Sequence, residues 1–136
     1  MKFALHAVAS MLMVVASGCA SIDLMHPSDP EFLRAAESPG AFDGKTITIR
    51  GWITLRHEDK NLWATWRDHE NWETTRCISI INYDSLDDAL DGKYVEVTGV
   101  MREDASMGGT LLRLASCRNA AIEVDGPSAV KPSAGQ

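Results

Sequence analysis

The stretch Phe42-Asp43-Gly44-Lys45-Thr46-Ile47-Thr48-Ile49-Arg50-Gly51 returns 48 residues later as Leu90-Asp91-Gly92-Lys93-Tyr94-Val95-Glu96-Val97-Thr98-Gly99. Each copy is an Asp-Gly turn feeding a strand of strict period two. In the first, Ile47, Ile49, Ile53 and Leu55 share one face, while Thr48, Arg50, Trp52 and Thr54 share the other. In the second, Val95 and Val97 oppose Tyr94, Glu96 and Thr98. Gly51 and Gly99 interrupt the strands at equivalent places. Glycine inside a strand marks a bulge or sharp bend, as a strand serving two sides of a small barrel requires.

Further strands fit around this pair. Leu62–Trp66 reads as a second strand after the polar turn Glu58-Asp59-Lys60-Asn61, and Cys77–Ile81 as a third. Asp84–Leu90 reads as a short helix capped by Asp84. Thr110–Ser116 follows the flexible Ser106-Met107-Gly108-Gly109 as a fifth strand, which Ala121–Val124 extends or follows. Upstream, Ser28-Asp29-Pro30-Glu31 supplies helix-start chemistry, and Ser38-Pro39-Gly40 ends that helix. The chain is therefore expected to be mostly β. Three strands, a short helix and two more strands is the order of an OB-fold, a five-stranded Greek-key barrel. An N-terminal helix precedes it.

Over residues 42–124 the chain resembles the OB-fold domains of small bacterial envelope lipoproteins. The likeness rests on the Phe-Asp-Gly-Lys strand opening, the Gly-ended strand and a late Cys. The N-terminus points the same way. Met1-Lys2 leads into an apolar run from Phe3 to Val15, then Ala16-Ser17-Gly18-Cys19. About 13 apolar residues are too few to cross a bilayer, which takes about 20, but suit a signal-peptide core. The ending resembles a lipobox, with Ala16 where Leu or Val is usual.

The resemblance implies that residues 1–18 are removed, that Cys19 carries the lipid, and that 19–27 form a tether. Residues 28–125 would form the domain, and 126–136, poor in large apolar groups, a disordered tail. Two acyl chains anchor stably. Ala20 rather than Asp after the cysteine implies the outer membrane, facing the periplasm.

Composition narrows the partners. The 13 Lys and Arg against 19 Asp and Glu give a net charge of −6, which loss of Lys2 would take to −7. Such a chain repels phosphate backbones, so nucleic acid is not an expected partner. An envelope protein or glycan fits better. With Cys19 lipidated in an oxidising compartment, Cys77 and Cys117 read as one disulfide, closing a loop that contributes roughly 4 kcal/mol. Two separate buried thiols are the alternative.

For chemistry, the tryptophans Trp52, Trp63, Trp66 and Trp72 come first. Strand parity puts Trp63 and Trp66 on opposite faces, so at least one is expected to point inward and two or more of the four to be structural. Trp63 and Trp72 are singled out as exposed stacking groups in or beside the second strand, on whose face OB-folds bind ligands. His57, in the loop after the first strand, and His69, after Trp66, are the polar candidates. With neighbouring carboxylates they would suit a divalent cation, which makes a small metal-assisted hydrolase one alternative function. An oligonucleotide-binding barrel is another. No residue pattern marks a catalytic nucleophile, a cofactor site or a known metal signature. The expected function is a non-catalytic binding or scaffold module tethered in the cell envelope.

Overall fold

The computed structural model describes residues 26–106, 108, 117 and 120–133. Cys19 and the leader lie outside the described residues, as does the expected strand at Thr110–Ser116. The elements are α1 (Pro30–Glu37), β1 (Thr46–Thr54), β2 (Asn61–Trp63), α2 (Trp66–Glu70), β3 (Cys77–Ile81), β4 (Lys93–Arg102), β5 (Ala121–Glu123) and β6 (Val130–Pro132).

The sheet order is β1-β2-β3-β5-β4, and β1 pairs with β4 to close the ring. The β3–β5 pair is parallel and the others are antiparallel. This is a closed five-stranded barrel with the OB-fold order expected from the repeat.

The repeat explains the closure. Ile49 pairs with Val97, its own counterpart 48 residues on, so the β1–β4 ladder has a local two-fold relation through that pair. The Asp-Gly turns obey the same relation. Asp91 Oδ1 accepts from the Leu55 amide at 2.7 Å, and Asp43 Oδ1 accepts from the Glu103 amide at 2.9 Å. The Gly92 amide donates to the Ile53 carbonyl, and the Gly44 amide to that of Met101. Both glycines have φ near +70°, which glycine adopts without steric cost. Each copy's turn thus fastens the end of the other copy's strand.

Gly51 and Gly99 serve a different purpose. A Cβ on Gly51 would collide with the Trp63 carbonyl oxygen, and one on Gly99 with that of Glu123. Here β1 crosses from pairing with β4 to pairing with β2, and β4 makes the equivalent crossing to β5. Two backbones pass closer than any side chain permits.

The period-two faces hold. Ile49, Ile53, Val95 and Val97 are wholly buried, and they join Leu62, Ile78, Ile80, Met101 and Ile122 in one core. α1 adds Phe32, Ala35 and Ala36 to it. Asp29 caps that helix through Oδ1 at the Glu31 amide, while Oδ2 accepts from the Arg50 amide at 2.8 Å, pinning α1 to β1.

Three expectations need correction. Residues 126–133 are ordered: after a turn at Pro127–Ala129, β6 pairs with β4 at Val95–Val97, and Val130 is buried in the core. The one large apolar residue of that segment was enough, because β4 offered an open edge. The segment after β3 is two separate 3-10 turns, Tyr83–Ser85 and Asp88–Leu90. Leu86 adopts an extended backbone between them and is buried, which moves the capping role from Asp84 to Asp87. Finally, β2 stops at Trp63 rather than Trp66, because Thr65 caps a new helix by accepting from the Asp68 amide.

Candidate functional site

Two features shape the surface beside the β1–β2 hairpin. One is the loop 55–60 between those strands; the other is α2. α2 ends in a Schellman arrangement: the Glu73 amide donates to the Asp68 carbonyl and the Trp72 amide to that of His69. The left-handed position in that motif usually holds glycine, yet here it is Trp72, at φ 53°. Such a conformation costs a bulky residue about 1–3 kcal/mol. Trp72 is nevertheless 53% exposed, so its position is not explained by burial.

Between loop 55–60, α2 and the Asp91-Gly92 turn lies a groove of about 390 Å³, within the usual range for small-ligand sites. Trp52 and Trp66 provide its aromatic surface. Trp52 is half-buried, and its ring lies over Gly92, where a Cβ would be 3.7 Å away. Trp66 is 38% exposed, with the Arg67 guanidinium 5.5 Å from its ring centre.

Polar groups surround these rings. Arg56 Nε meets Asp91 Oδ2 at 2.6 Å, and His69 Nε2 meets Asp59 Oδ2 at 2.9 Å. Asp59 is held from the interior: Ser79 Oγ donates to Asn61 Oδ1 at 2.9 Å, and Asn61 Nδ2 to Asp59 Oδ1 at 2.6 Å. This chain satisfies buried polar atoms and fixes Asp59 at the groove wall. Glu70 is exposed and has no hydrogen-bond or ion-pair partner among the described residues.

The four sequence candidates separate. His57 and His69 both line the groove, His57 at a left-handed φ of 51°. Trp72 does not line it; its ring lies behind, 5.3 Å from that of Trp63 and 6.3 Å from that of His69. Trp63 is not a surface group: it is fully buried, donates Nε1 to Thr54 Oγ1 at 3.2 Å, and packs against Cys77 and Cys117. Those two cysteines form a disulfide, with Cα atoms 5.4 Å apart. The β2–β3 face expected to bind is itself closed, since all residues of both strands are buried.

Of the groove residues, Trp52 and Trp66 belong to the aromatic cluster of the sequence without being singled out there, and Arg56 and Asp91 are missed altogether. A signal existed for α2: Thr65-x-x-Asp68 is a helix-capping spacing, and Thr65 Oγ1 bonds Asp68 Oδ2 at 2.6 Å. That helix carries Trp66, His69 and Glu70 to one wall.

A second cavity of about 490 Å³ lies between residues 26–30, β1, β4 and residues 131–133. Tyr94 divides it from the groove: its ring stacks on His26 at 3.8 Å, stands edge-on to Trp52 at 5.2 Å, and its hydroxyl accepts from the Trp66 amide at 3.1 Å.

Among the described residues, no three His, Cys, Asp or Glu are grouped so as to hold a metal ion. The class defined by fold and site is a closed OB-fold-like barrel with an aromatic, carboxylate-rimmed groove beside its first hairpin. No protein family, curated protein or solved structure matches the chain in comparison.

Proposed function

We propose that the protein is a non-catalytic binding module, lipid-anchored through Cys19 at the periplasmic face of the outer membrane, whose partner is an envelope glycan. The observation that carries this reading is the groove walled by Trp52 and Trp66 and edged by paired, orientation-fixed side chains. Indole rings stack on the C–H faces of pyranoses, while carboxylates and a guanidinium match their hydroxyls. A concave groove of this volume suits a small ring better than the roughly 800 Å² face that a protein partner covers. The groove gathers His57, His69 and three carboxylates, but among the described residues no three of these are grouped to hold a metal ion, and the carboxylates repel phosphate.

The test is co-sedimentation of the full chain, bearing Cys19→Ser to remove acylation, with insoluble envelope glycan. The wild-type surface pellets with the glycan and Trp66→Ala leaves the protein in the supernatant. Equal pelleting of the two would refute the site, and no pelleting of either would refute the partner. The anchor is tested separately by palmitate labelling, which Cys19→Ala abolishes.

A further inference from the structure

The groove's charge is lopsided in a way that neutral sugar binding does not require. Three carboxylates line it, Asp59, Glu70 and Asp91, against one guanidinium, Arg56. Loop 55–60 also contributes His57, and α2 contributes His69. Two carboxylates are already engaged, Asp91 with Arg56 and Asp59 with His69. Among the described residues Glu70 is left over, on the same short helix as Trp66.

A carboxylate without a partner beside two indole rings is the combination that attracts an ammonium group. The ring quadrupole favours a cation over its face, and the carboxylate accepts a charge-assisted hydrogen bond. The protein already makes one such contact with its own Arg67 at Trp66.

Resting on the glycan reading above, we infer that the groove selects a pyranose bearing a free, protonated amine, with the ring on Trp52 and Trp66 and the ammonium directed to Glu70. An N-acetylated sugar presents the same ring without the charge and leaves Glu70 unanswered. A lysine side chain presents the charge without a ring.

Calorimetric titration of the full chain in detergent with three probes separates these cases: a glucosamine hexamer, an N-acetylglucosamine hexamer and hexalysine. The glucosamine hexamer is expected to bind at least tenfold more tightly than either other probe. Glu70→Gln, an exposed substitution outside the core, is expected to remove about tenfold of that affinity while leaving the acetylated probe unchanged. Equal binding of the two sugar hexamers overturns the inference and leaves the glycan reading standing. Equal binding of hexalysine also overturns it, since charge alone would then suffice. Binding by neither sugar, together with failed co-sedimentation, overturns both.

Discussion

The β1–β2 and β4–β5 hairpins are built to one plan and put to different uses. Their registers superpose through the 48-residue repeat: Trp52 faces Trp63 as Val100 faces Glu123, Ile53 faces Leu62 as Met101 faces Ile122, and Thr54 faces Asn61 as Arg102 faces Ala121. The central pair is apolar and buried in both, because it belongs to the shared core. The flanking pairs diverge. The second hairpin closes with a surface ion pair, Arg102 to Glu123 at 2.8 Å. The first carries two tryptophans on one face, Trp63 buried against the disulfide in a cluster separate from the barrel core, and Trp52 packed on that cluster and lining the groove. Two copies of the same frame thus separate what the barrel needs from what the site adds.

That contrast is sharpest at Trp63 and its counterpart. Trp63→Ala should cost about 3–5 kcal/mol in urea unfolding, since it empties a large buried volume beside the disulfide. Glu123→Ala should cost under about 1 kcal/mol, as a partly exposed ion pair contributes little. Comparable losses would mean that the hairpins are not specialised as described.

At the glycines the two halves should instead behave alike. Gly51→Ala and Gly99→Ala each place a methyl group against a crossing backbone carbonyl, and each should destabilise by about 1–3 kcal/mol. Tolerance at one position alone would break the proposed equivalence.

The turn aspartates combine both behaviours. Asp43→Ala and Asp91→Ala each remove an acceptor from the other copy's strand end, at about 1 kcal/mol. Only Asp91→Ala also frees Arg56 at the groove, so only that variant should weaken ligand binding in the same titration.

The smallest effect lies at Asp104, which stands 48 residues after Arg56. The Ser106 hydroxyl, then the Gly108 and Ser106 amides, hold its carboxyl below the usual carboxylate range. A lowered value means that the turn's contribution is present above the ordinary Asp range and lost as pH falls through the folded value. The Ser106 and Gly108 amide resonances should therefore stay fixed through the usual range and move only in stronger acid. Movement within the ordinary range would show that the turn does not form.

How much of this was legible in the sequence follows from which interactions are local. The repeat exposed β1, β4, their buried faces and the closing glycines, because period two and Asp-Gly turns are written in adjacent residues. The pairing of Cys77 with Cys117 was legible from the cysteine count once Cys19 was assigned to the lipid. Trp63 and Trp66 were harder: parity separated their faces but could not tell which faced the core, and the helix that redirects Trp66 hinges on a single capping threonine. The groove could not be read directly, since Trp52, Arg56, Glu70 and Asp91 come from four separate segments. β6 escaped notice because one valine and an open strand edge decide it.

The most direct test of the account is an NMR titration of the labelled chain with the glucosamine hexamer, following both hairpins at once. The account expects the indole N–H signals of Trp52 and Trp66 to shift while the Val100–Arg102 and Ala121–Glu123 amides stay in place. Shifts centred on the second hairpin, or none at either, would contradict it.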